Sequence, residues 1–226
     1  MIDERGARGS ARWRELDRVT GIAGLAATVL LFTPIIAIST LGEPGFNASS
    51  EQAADFFRNG DTAWIVAAEA TAALGMVAFL WFVAGLTTLL RRAEGEPAWR
   101  STVALVSGAL VAAYGVIDAS WEAAFNRGDE LDSSVAIFAF DFGNLGFANV
   151  WLALASFAIA SGWALLHGRA LAAWWGWWPI VAGAGLVIVR YAWESFAWTV
   201  PYFIFWAWVI ALAVRLLARP TAREPA

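Results

Sequence analysis

The stretch STVALVSGALVAAYGVIDASWE, residues 101–122, decides what kind of protein this is. Residues 101–117 carry no charged side chain, and a bilayer crossing needs about 20 mostly apolar residues. The run then ends in two acids, Asp118 and Glu122. Continued as one helix, it puts both carboxylates on one face, with Tyr114 a turn below Asp118. Two carboxylates this close resist joint ionisation. They lie at a membrane edge, or they have a task inside it.

Similar apolar runs recur on both sides of this one, at residues 20–41, 63–90, 136–166, 172–190 and 199–217. The chain of 226 residues is 60% hydrophobic and 15% charged, against about a quarter charged for a soluble domain. The reading is an all-α, polytopic membrane helical bundle of six transmembrane helices. A basic tail (1–18) precedes the transmembrane domain (19–218), and a short tail (219–226) follows it. Pro34 is expected to kink the first helix. In the loop after it, SSEQAADFFRNG (49–60) has the marks of a short helix. Ser49 or Ser50 caps it, Gly60 stops it, and Phe56 and Phe57 are expected to insert into the membrane interface. Thr199 is the expected cap of the last span, with Pro201 in its first turn.

Arginine sorts by side. With six spans and both termini together, one side holds Arg5, Arg8, Arg12, Arg14, Arg18, Arg91, Arg92, Arg100, Arg169, Arg215, Arg219 and Arg223. The other side holds only Arg58, Arg127 and Arg190. Arginine excess marks the cytoplasmic face, so both termini are expected inside, in a bacterial inner (cytoplasmic) membrane. Trp174, Trp175, Trp177 and Trp178 then mark the inner boundary, and Trp64, Trp193 and Trp198 the outer one.

Composition also excludes chemistry. The chain has no Cys, no Lys and one His, His167. That removes thiolate sites, Schiff-base lysines, histidine-rich zinc sites within one chain and bis-histidine haem. No Ser–His pair or ordered Asp motif offers a nucleophile or a metal-dependent reaction. The protein is therefore expected not to be an enzyme, and to need no cofactor and no metal. Its expected partners are the lipid bilayer and a second copy or another membrane protein, with no nucleic acid.

The polar residues within or at the ends of the spans are the candidate site. They are Glu69, Tyr114, Asp118, Glu122, Asp141, Asn144, Asn149, Arg190 and Glu194. At ~1.5 Å of rise per residue, Asp118 and Arg190 each lie roughly 27 Å above the cytoplasmic ends of their helices. Glu69, Asn144, Asn149 and Asp141 fall at roughly 26 to 37 Å. All sit at or just below the outer boundary of a hydrocarbon core about 30 Å thick. One reading is a hydrated outer cap in which the acids are salt-bridged to Arg190. Another is an outer vestibule for a proton, a cation or a cationic substrate. A third is helix packing or oligomer contact.

The segments GIAGLAATVLLFTPII (21–36), SSEQAADFFRNG (49–60), LWFVAGLTTLLRRAEG (80–95) and FGNLGFAN (142–149) resemble small six-span actinobacterial integral membrane proteins of unknown function. The resemblance implies a six-helix membrane domain and no activity. The acids of DASWE (118–122) and the tryptophan density depart from that pattern. The functional expectation is an accessory, structural or small-ligand-binding membrane protein with an acidic outer cap. The alternative is a small transporter coupled to protons or cations. Against transport stand the expected absence of a helix broken midway and of an inverted repeat between the two halves.

Overall fold

Backbone amides in hydrocarbon have no water to bond, so each apolar run must close its hydrogen bonds within itself and becomes a helix. The computed structural model describes residues 4–39, 42–60, 62–169 and 171–218, and among these every regular element is helical. The helices are α1 (Glu4–Ser39), α2 (Ser50–Asn59), α3 (Thr62–Glu94), α4 (Trp99–Ile117), α5 (Ser120–Arg127), α6 (Ser133–Gly168), α7 (Trp174–Arg190) and α8 (Thr199–Leu217). Short 3₁₀ turns follow α5 and precede α8. Residues 40–41 of the first expected span and the tail 219–226 lie outside the described residues.

Five segments are long and apolar enough to cross a membrane, which marks a multi-pass membrane protein. They are Ala11–Ile36, Ala63–Glu94, Trp99–Glu130, Ser133–Gly168 and Phe196–Leu217. The remaining expected span, 172–190, forms α7 with only 17 residues. At ~1.5 Å per residue α7 reaches roughly 25 Å, short of the usual hydrocarbon thickness. The basic tail is not separate either, since α1 is helical from Glu4 onward.

Six helices form a closed ring in the order α1, α3, α4, α6, α7, α8, with neighbours antiparallel. Small residues set the spacing. Gly85 of α3 lies against Thr20 of α1, and Gly162 of α6 faces the Gly176 carbonyl of α7. Gly21 meets Ala213 and Leu217, which brings the start of α1 beside the end of α8. Such contacts let backbones approach where no side chain fits. Aromatic rings fill the middle of the ring. Trp151 stacks on Trp198, Phe147 meets both edge-on, and Phe79, Phe157 and Phe205 continue the column.

At the end of the bundle away from the termini a second, smaller core forms. Phe56 and Phe57 of α2, Phe125 of α5 and Phe140 of α6 pack together, with Ile65 and Leu131 closing the cluster. Phe57 is 1% exposed and Phe56 8%, so these rings are buried in protein rather than inserted into an interface. Ser49 does cap α2, and its capping box with Gln52 is complete. Asp132 starts α6 in the same way, accepting from the Ser134 amide at 2.8 Å. The hydroxyl and amide of Ser134 hold the Asp132 carboxyl below the usual carboxylate range. Thr199 is not a cap: α8 runs directly out of the preceding 3₁₀ turn, and the Thr199 hydroxyl bonds the Phe196 carbonyl.

At the termini end, Glu94 is the organising residue. Its carboxylate accepts from the Arg100 amide (3.1 Å), Arg100 Nη1 (3.0 Å), the Ser101 amide (2.9 Å) and the Ser101 hydroxyl (2.5 Å). It thus satisfies orphan amides at the start of α4 from across the α3–α4 turn. Arg100 in turn lies over Trp99 and Trp163. Glu94→Ala should lower unfolding stability by about 2–3 kcal/mol, since bonds to a charged acceptor contribute about 1.5–3 kcal/mol. Glu94→Gln should recover part of it. Thermal melts of the purified chain in detergent, followed by tryptophan fluorescence, measure both.

Candidate functional site

The candidate residues fall into two groups separated by the Tyr114 ring. The first surrounds a break in the third apolar run. Helix α4 ends at Ile117 with Asp118 as its C-cap, and α5 begins at Ser120. Asp118 and Glu122 are therefore not neighbours on one continuous helix, as the i,i+4 spacing predicts, and the run is broken where an unbroken helix is expected. The side chain of Asp118 explains the break. One carboxylate oxygen accepts from the Ser120 amide (3.1 Å) and hydroxyl (2.9 Å). This short-range bonding offers the backbone an alternative to the helical ladder. The other oxygen accepts from the Tyr114 hydroxyl at 2.5 Å, and the Gly143 carbonyl lies 3.4 Å from that hydroxyl.

Glu69 of α3 lies within electrostatic reach of both Asp118 and Glu122. The three acids thus share a region under the second core. They do not share a point, because among the described residues no three acidic or histidine side chains gather closely enough to hold a metal ion. Trp121, beside Glu122, stacks on Phe140 and abuts Phe56 and Phe57.

The second group lines a lateral groove of about 710 Å³ on the outward face of α6. Tyr114, Asp141 and Asn149 are its polar members. Phe138, Phe142, Leu145 and Val150 supply apolar walls, and Gly146 and Ala153 a flat floor. The upper part of the groove lies beyond the end of α7. Helix α7 covers α6 from Gly162, beside Gly176, up to Asn149, beside Arg190. Beyond that the α6 face is open. Gly146 lets the Tyr114 ring lie flat, since a Cβ there would strike its hydroxyl.

Arg190 does not form the expected salt bridge with the acids. Its Nε and Nη2 both donate to Asn149 Oδ1, at 2.9 and 2.7 Å. Among the described residues neither Arg190 nor Asp141 has an ion-pair partner. Asn144 faces the interior, is buried, and leaves its Nδ2 without a bond among the described residues. Glu194 is exposed in the α7–α8 turn and joins neither group.

The walls of the groove were not singled out by sequence reading, because Phe138, Phe142 and Leu145 look like any lipid-facing residues. A signal was present all the same. Asp141, Leu145 and Asn149 recur every four residues, which places them on one stripe. No family model, curated protein or solved structure matches the chain.

Tyr114→Phe removes the hydroxyl that anchors Asp118. It should destabilise the α4–α5 junction by about 1–2 kcal/mol. Hydrogen exchange at the amides of Ser120 to Ala123 should accelerate while exchange in the middle of α6 stays unchanged.

Proposed function

We propose that this chain is a non-catalytic protein of the bacterial cytoplasmic membrane that holds a small amphiphilic ligand in the α6 groove. In this reading α7 is a sixth span, and both termini are cytoplasmic. The arginine sorting supports the orientation, and the antiparallel ring supports an even number of crossings, with the start of α1 beside the end of α8. A short α7 is accommodated by local thinning of the bilayer. The groove then opens sideways into the outer leaflet.

The observation that carries the reading is the polar lining of that groove. Polar groups on a lipid-facing surface are costly unless something satisfies them. Tyr114 and Asn149 are bonded to Asp118 and Arg190, which leaves Asp141 without a partner among the described residues in an apolar channel large enough for a small ligand. Leu145→Trp fills the channel from an exposed position and should leave the fold intact. With a diazirine-bearing fatty amine as probe, photolabelling should concentrate on the Phe142–Ala153 segment and fall at least about fivefold in Leu145→Trp, the loss expected when a pocket is sterically blocked. Labelling spread evenly over the lipid-exposed helices would count against the groove.

Orientation is checked in the cysteine-free chain. A membrane-impermeant maleimide should label Asp129→Cys in intact cells. It should label Glu96→Cys only after permeabilisation.

A second reading, transport coupled to protons or cations, is favoured by the break at Asp118. Interrupted helices recur where transporters bind ions, and Glu69 and Glu122 lie close to this one. Asp118→Asn in liposomes should then abolish proton flux. Unchanged flux removes Asp118 from any such mechanism.

A further inference from the structure

We infer that the groove selects an amino-headed phospholipid, with the ammonium at Asp141 and the phosphate–glycerol region toward Arg190. The inference rests on the groove reading above and specifies the ligand. Asp141 lines the channel, and Arg190 sits at its edge, bonded to the lining residue Asn149; among the described residues neither charge is paired with the other or with any other charge. Asp141 and Asn149 are eight residues apart on α6, or roughly 12 Å along its axis. Arg190 is held at the lower level by its two bonds to Asn149 Oδ1, and its Nη1 makes no bond among the described residues.

The upper level suits an ammonium in two ways. Asp141 supplies the counter-charge. Phe138 and Phe142 flank it in the sequence, lie 5.9 Å apart with near-parallel rings, and are more than half exposed. Aromatic faces beside a carboxylate attract an ammonium more strongly as water is excluded. The lower level suits oxygen acceptors, because a guanidinium offers donors and no acceptor. Below it, Val150 and Ala153 continue the apolar lining for an acyl chain. The order cation, anion or ester, hydrocarbon is that of a phospholipid with an amine headgroup lying along the groove. An anionic headgroup without an amine would set like charge against Asp141. A purely cationic amphiphile would leave Arg190 unmatched.

The test uses the full chain in nanodiscs of phosphatidylcholine doped with equal amounts of phosphatidylethanolamine, phosphatidylglycerol and diacylglycerol. Retained lipid is counted by native mass spectrometry. Phosphatidylethanolamine should be retained about tenfold over phosphatidylglycerol, the size of effect that one charge-assisted contact supplies. Asp141→Asn should erase that discrimination, and Asp141→Glu should keep it. Arg190→Gln should bring both phospholipids down toward diacylglycerol. Equal retention of all three lipids, still blocked by Leu145→Trp, overturns the headgroup assignment and leaves the groove reading standing. Retention insensitive to Leu145→Trp overturns both. A dimer that Leu145→Trp dissociates would mean that a second copy, not a lipid, occupies the groove, and overturns the inference.

Discussion

Helix α6 has 36 residues and its antiparallel neighbour α7 only 17. At ~1.5 Å of rise per residue the two differ in length by roughly 28 Å. Much of the rest follows from that mismatch. Below Asn149, α7 packs onto one side of α6 through Gly162 and Gly183. Above Asn149 it has no α7 to meet, so one side of it becomes the lateral groove. The other side carries α2 and α5, which bury Phe56, Phe57 and Phe125 against Phe140.

The break at Asp118 solves a related geometric problem. Helix α4 covers α6 as far as Gly146, where Tyr114 lies flat. Beyond that point the chain must turn to carry Trp121 and Phe125 over Phe140. Asp118 ends the helical ladder with its own carboxylate, and Tyr114 holds that carboxylate in place. One hydroxyl therefore touches both halves of the candidate site. Its ring lines the groove, while its oxygen fixes the junction beneath the second core. The groove and the α4–α5 junction thus share this single side chain.

The two ends of the bundle are stabilised by different means. The termini end uses charge held close to the backbone, with Glu94 saturating the start of α4 and Arg92 lying over Trp13. The opposite end uses rings packed edge to face, a geometry that adds about 0.5–1.5 kcal/mol per pair beyond simple burial. Among the described residues, the Asn144 amide nitrogen and the Trp151 indole nitrogen are buried without a hydrogen-bond partner. A buried donor of this kind usually meets an ordered water.

Much of this protein was legible in the amino-acid order. Long apolar runs separated by charged turns determine helices that cross a membrane, because hydrocarbon leaves the backbone no other way to satisfy its hydrogen bonds. The cap at Ser49 and the stop at Gly60 were equally readable, because capping is decided within a few residues. The tertiary structure decided the rest. That Phe56 and Phe57 face protein, that Arg190 bonds Asn149 rather than an acid, and that Asp118 parts from Glu122 all depend on partners distant in sequence. The upper part of the groove is left uncovered by α7, which ends beside Asn149. A period of 3.6 residues shows which positions share a face, but only the neighbouring helix determines whether that face is covered.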